Sequence, residues 1–186
     1  MRCARQSPAT TARFAVGQQL TVTARATDQE DGALPGSAIS WNVTLVHGSH
    51  THPYAGPFVG SSVNVAYPAP EDLASTGNSY LRVSAVATDS VGLTSRVDRS
   101  LLPRKVTVSL ASTPTGARLQ VNGSNRVTPA SVVSWAGYTL VLNAPGPQTL
   151  SGKSYAWRSW SDGGAQSHTV VTPATAKTYT AVFVAN

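Results

Sequence analysis

The chain has 186 residues, of which 41% are apolar and only 12% charged, with 15 Gly and 12 Pro. That balance is too apolar for a disordered polymer, and no apolar run reaches the roughly 18 residues of a membrane-spanning helix. Lys, Glu and Met are scarce, which disfavours long helices, so the composition points to an all-β protein made of one mid-sized domain or two small ones.

In chain order, Gln18 to Thr27 alternates Leu20, Val22, Ala24 and Ala26 with polar residues, the period of a half-buried strand. Asp28-Gln29-Glu30-Asp31-Gly32 ends it with turn chemistry. Ala38 to His47 puts Trp41, Val43, Leu45 and His47 on one face of a second strand. Gly48 to about Gly60 is rich in Pro and Gly and reads as a long loop. Short strands follow at Val63 to Tyr67, Ser79 to Thr88 and Leu93 to Leu102. Beyond Pro103-Arg104-Lys105, which reads as a hinge, the pattern restarts with Val106, Val108 and Leu110. Asn122-Gly123 predicts a hairpin turn between Arg118–Val121 and the residues up to Val127. Further strands are predicted around Tyr138–Leu142, Tyr155–Ser159, His168–Val171 and Thr178–Val184.

The expected architecture is therefore two tandem β-sandwiches, over residues 13–103 and 104–186, behind an unstructured segment 1–12. The charges divide unevenly. Residues 1–103 hold seven basic and seven acidic residues, whereas 104–186 set seven basic residues against Asp162 alone, which accounts for the net charge of +6. The basic residues are dispersed and no nucleic-acid motif is present, so a solubilising surface is expected and nucleic acid is not an expected partner. The single cysteine, Cys3, excludes an intrachain disulfide. The first residues lack the apolar core of a secretion signal, so the sequence reads as a piece of a larger secreted, extracellular protein.

Phe14-Ala15-Val16-Gly17-Gln18, Ala26-Thr27-Asp28-Gln29-Glu30-Asp31-Gly32, Ile39-Ser40-Trp41 and Ala87-Thr88-Asp89-Ser90-Val91-Gly92 resemble PKD-like, immunoglobulin-type β-sandwich domains. With His47-Gly48-Ser49-His50-Thr51-His52-Pro53, the first half is similar to the accessory region C-terminal to bacterial secreted sugar dehydrogenases of the glucose/sorbosone type. The second half, with Trp157-Arg158-Ser159-Trp160-Ser161-Asp162-Gly163-Gly164, is similar to small modules appended to the same enzymes and to glycoside hydrolases. The resemblance implies a non-catalytic, carbohydrate-binding accessory role, with a polysaccharide or glycan and the parent catalytic domain as partners. No catalytic residue transfers.

Three constellations carry chemistry. His47, His50 and His52 lie within six positions, and imidazoles that close are candidate zinc or copper ligands. They are also readable as backbone-bonded loop residues, or as the lining of a ligand pocket with Tyr54. Asp28, Glu30, Asp31 and Asp89 fall at strand ends, where they suit calcium or simply make turns. Trp135, Trp160 with Arg158 of the same strand parity, and Asp162 are candidate sugar contacts. Strict alternation puts Trp157 and Trp160 on opposite faces, so one of them is expected in the core and the other exposed or covering an edge. No phosphate loop, Cys–His dyad or nucleophile elbow occurs, so no catalysis is expected. A monomeric carbohydrate-binding module is the leading expectation. A ligand-free spacer or adhesin-like segment and a His-ligated metal protein or small metalloenzyme are the alternatives.

Overall fold

The computed structural model describes residues 2–7 and 13–186, with side chains from Arg13 onward. The expectation for residues 8–12, and that for the Cys3 thiol, lie outside the described residues. The chain divides into two compact units, Met1–Ala69 with Asn78–Pro103, and Pro70–Gly77 with Arg104–Asn186. The second thus includes a segment from the middle of the chain. Glu71 and Asp72 move with it, so this unit sets seven basic residues against three acids rather than one.

The first unit contains β1 (Arg2–Ser7), β2 (Arg13–Phe14), β3 (Gln19–Asp28), β4 (Gly32–Ala33), β5 (Ile39–His47), β6 (His50–Val59), β7 (Ser62–Ala66), β8 (Ser79–Thr88) and β9 (Thr94–Pro103). Strand β1 falls where no structure was expected, pairing antiparallel with β3 at Arg2↔Thr27, Cys3↔Ala26 and Ala4↔Arg25. One sheet has β3 at its centre, joined to β1, β4 and β7, and the other runs β2-β9-β8-β5-β6. The alternation read from sequence sets the inner faces: Leu20, Val22, Ala24 and Ala26 of β3 are buried, as are Trp41, Val43 and Leu45 of β5 and Leu81, Val83, Ala85 and Ala87 of β8. Trp41 is completely buried, and its indole N–H donates to the Gly60 carbonyl at 2.7 Å. The polar handle of the largest core side chain is thereby satisfied.

Strand β6 overturns the loop expected from Gly48 to Gly60. Its two prolines, Pro53 and Pro57, lack the N–H of an interior ladder position, but β6 is the edge of its sheet, where proline is tolerated. Two register shifts against β5, between Trp41/Val43 and Val43/Thr44, absorb the extra residues.

The second unit contains β10 (Lys105–Thr113), β11 (Arg118–Val121), β12 (Ser124–Val127), β13 (Ala130–Trp135), β14 (Thr139–Asn143), β15 (Gln148–Leu150), β16 (Lys153–Trp160), β17 (Ser167–Val171) and β18 (Lys177–Ala185). They form a five-stranded sheet, β13-β10-β18-β16-β15, and a four-stranded sheet, β12-β11-β14-β17. Between these sheets lies a core that includes Val108, Leu110, Leu119, Leu140, Leu142, Trp160, Tyr179 and Phe183. The Asn122-Gly123 hairpin forms as its sequence predicts, with both residues at positive φ.

Strand β16 corrects the parity argument for the tryptophans. Trp157 opposes Phe183, but Ser159 already opposes Val182 and Trp160 opposes Ala181, so Arg158 is an inserted, bulged residue. One extra residue shifts the alternation by one, and both indoles join the same core: Trp160 is buried and Trp157 packs against it half-buried.

Candidate metal centre

The β5–β6 hairpin assembles the histidines. Strand β5 ends at His47 and β6 begins at His50, leaving Gly48-Ser49 as a two-residue connection. Gly48 has φ +54°, a conformation that two-residue hairpin loops require and glycine adopts without strain. This short turn makes His47 and His50 direct cross-strand partners and sets His52 opposite Leu45. His47 shares the parity of buried Val43 and Leu45, so the three imidazoles extend the inner face of the sheet to the hairpin tip. Pro53, with its fixed φ, stiffens the chain directly after His52.

The rings are in mutual contact. Their centroids are 3.8 Å apart for His47–His50, 5.0 Å for His50–His52 and 5.3 Å for His47–His52. The Nε2 atoms of His47 and His52 are 3.3 Å apart, and one ligating atom from each of the three residues lies within 4.8 Å of the others. Two imidazoles on one tetrahedral ion, with metal–nitrogen bonds of about 2.0–2.1 Å, have nitrogens about 3.3–3.4 Å apart. The His47–His52 pair already has that spacing. His50 is exposed, so its ring is free to close the remaining gap by side-chain rotation. Among the described residues this is the one group of three or more His, Cys, Asp or Glu with converging ligand atoms.

The acidic residues do not converge in this way. Asp28 Oδ1 accepts the N–H groups of Glu30 and Asp31, and Asp89 Oδ1 accepts those of Val91 and Leu93. Asp31 accepts both the N–H and the hydroxyl of Ser90, tying one turn to the other. Asp28 and Asp89 thus shape their own turns and Asp31 joins the two, which is the turn-making work of the alternative reading.

The predicted aromatic platform is corrected. Trp135 is fully buried with its indole N–H on the Thr76 carbonyl at 2.9 Å, and Trp160 is 3% exposed with its N–H on the Gln166 carbonyl at 3.1 Å. Neither ring offers a face to a ligand. Arg158 is exposed on the bulge, without Trp160 as a surface partner. Tyr54 is exposed on β6, its hydroxyl donating to the Ala66 carbonyl at 2.8 Å, and partial burial raises its phenol pKa.

Asp162 belongs to a cluster whose second member, His168, the sequence reading passes over. His168 Nε2 lies 3.0 Å from Asp162 Oδ2, its Nδ1 lies 2.8 Å from the Ala165 carbonyl, and its ring meets Trp160 edge-on. Burial raises the Asp162 pKa, but the Gly164 N–H and the His168 ring outweigh it, and the carboxyl is held below its usual value. Gly164 is the signal that was available in the sequence. A Cβ there would come within 2.5 Å of His168 Nε2 and 2.6 Å of its Cγ, so the ring lies flat against the glycine. With both ring nitrogens engaged, the Asp162–His168 pair clasps a turn.

The second unit also carries a cleft of about 600 Å³ between the Glu71–Gly77 segment and the β12–β13 side, lined by residues that include Glu71, Asn122, Arg126, Val133 and Tyr138. One wall is anchored by Trp135 and by the Thr76 hydroxyl, which donates to the Val133 carbonyl at 2.8 Å. Comparison with known families, curated proteins and solved structures returned no match.

Proposed function

We propose that the chain is a non-catalytic binding module that holds a Zn²⁺ or Cu²⁺ ion through His47, His50 and His52. The observation that carries this reading is the convergence of three imidazoles on one hairpin, with two nitrogens 3.3 Å apart. Imidazole nitrogen suits these late first-row ions, and Cu²⁺ stands above Zn²⁺ in the general affinity order. A proton shared between His47 and His52 accounts for the 3.3 Å spacing as well, but it involves two histidines and gives His50 no part. Titration calorimetry distinguishes them. Zn²⁺ and Cu²⁺ should each bind with one-to-one stoichiometry to the natural chain and at least tenfold more weakly to His50→Ala. Absence of binding to the natural chain refutes the metal reading. Calcium has less support, because the Asp28, Asp31 and Asp89 carboxylates already accept hydrogen bonds from the two turns.

Glycan binding by the second unit is a further reading, favoured by the 600 Å³ cleft, whose volume falls in the usual range for small-ligand sites. Its mixture of charged, amide, hydroxyl and aromatic lining suits a polyhydroxylated ligand. With Trp135 and Trp160 buried, Tyr138 takes over as the aromatic contact. Retention on insoluble polysaccharides that falls with Tyr138→Ala or Arg126→Ala supports this reading, and no retention across a broad panel refutes it. Attachment to a secreted carbohydrate-active enzyme rests on the sequence resemblance.

A further inference from the structure

We infer that the metal held by the histidine triad keeps a coordination position for an anionic oxygen or nitrogen donor supplied by another molecule. The inference rests on the metal reading above and specifies what the site would bind.

Three features of the hairpin lead to it. First, the donor set among the described residues is three imidazoles, one short of the four ligands of a closed structural site. Three protein nitrogens plus an exchangeable ligand is the arrangement of sites that act on something outside the protein. Second, the donor set carries no charge of its own. Three neutral imidazoles leave both positive charges of a divalent ion uncompensated, and no carboxylate belongs to the group. A carboxylate, azide or similar monodentate anion is therefore favoured over water. Third, the position is accessible. His50 and His52 are exposed, they lie on β6, and β6 is the edge strand of its sheet. Among the described residues no further strand stands outside it in that sheet to exclude an incoming donor.

The same chemistry has two sources, a free small anion or a carboxylate of a second copy of the chain, and the test separates them. Co²⁺ serves as a spectroscopic probe because its visible bands report coordination number and ligand exchange. The full chain is loaded with one equivalent of Co²⁺ and titrated with azide and, separately, acetate, while sedimentation velocity follows its mass.

The expected result is a set of visible bands that shift saturably with either anion while the protein stays monomeric, with His50→Ala losing both bands and shift. Bands that ignore both anions in a monomer overturn the inference, because the ion is then saturated by the protein. Bands that ignore both anions in a Co²⁺-dependent dimer overturn the free-anion form and assign the donor to the second copy. If no bands develop, the metal reading itself fails, an outcome distinct from the others.

Discussion

Replacing Gly164 with alanine should destabilise the second unit through one identifiable contact. Gly164 does not adopt the left-handed φ that by itself excludes alanine, unlike Gly163 at +79°. The obstacle is the His168 ring, which the new Cβ would approach to about 2.5 Å. That ring has little freedom to retreat, since its side chain is only 13% exposed, bonded at both nitrogens and packed against Trp160. Moving it breaks the bond to the Ala165 carbonyl, worth about 0.5–1.5 kcal/mol, and the bond to the Asp162 carboxylate, worth about 1.5–3 kcal/mol. Part of this is recovered by hydration, so a net cost of about 1–3 kcal/mol is expected.

Urea unfolding of the full chain, followed by tryptophan fluorescence, measures this cost, because Trp135, Trp157 and Trp160 all belong to the second unit. The decisive comparison is the double-mutant cycle. In a His168→Ala background, Gly164→Ala should cost less than about 0.5 kcal/mol, since the clash is gone. Gly163→Ala should keep its cost of about 1–2 kcal/mol in both backgrounds, because that cost is backbone strain with no atom near the new Cβ. If Gly164→Ala costs the same with and without His168, the packing argument is wrong.

Asp162 should make the stability of the second unit depend on acid. Its folded pKa lies below the unfolded value of about 3.9, so its contribution is fully present above that value and disappears as pH falls through the folded pKa. The stability difference between the natural chain and Asp162→Asn should therefore shrink as pH falls from about 4 toward 2. A difference that grows over that range would contradict this. Deleting Arg158 removes the bulge and leaves Trp157 and Trp160 two positions apart on one face, so both indoles should stay in the core without a red-shifted emission, and Arg158→Ser should stay within about 0.5 kcal/mol of the natural chain. Trp41→Ala should cost the first unit about 3–5 kcal/mol, since it empties a fully buried site and leaves the Gly60 carbonyl without its partner. Zn²⁺ at a hundredfold excess over its dissociation constant should stabilise the first unit by about 2.7 kcal/mol, an effect absent in His52→Ala and readable as a rise in Tm.

The sequence by itself determined most of the strands that build the two cores. In β3, β5 and β8 one face is buried along nearly the whole strand, so the alternation of Leu20 to Ala26, Trp41 to Leu45 and Leu81 to Ala87 is a direct record of which side excludes water. Local chemistry also sufficed for the Asn122-Gly123 turn and for the sharing of one face by His50 and His52, since each depends on residues adjacent along the chain. Tertiary structure decided the rest. Strand β6 is a strand because it occupies an edge, where Pro53 and Pro57 need donate nothing, and edge position is a property of the sheet rather than of the segment. Trp160 is buried because the bulge at Arg158 resets the alternation, an insertion visible only against its partner strand β18. The transfer of Pro70–Gly77 to the second unit joins residues through folded packing that no local periodicity encodes. Periodicity reports which face is covered, whereas register, edges and the partners across a core follow from how whole strands assemble.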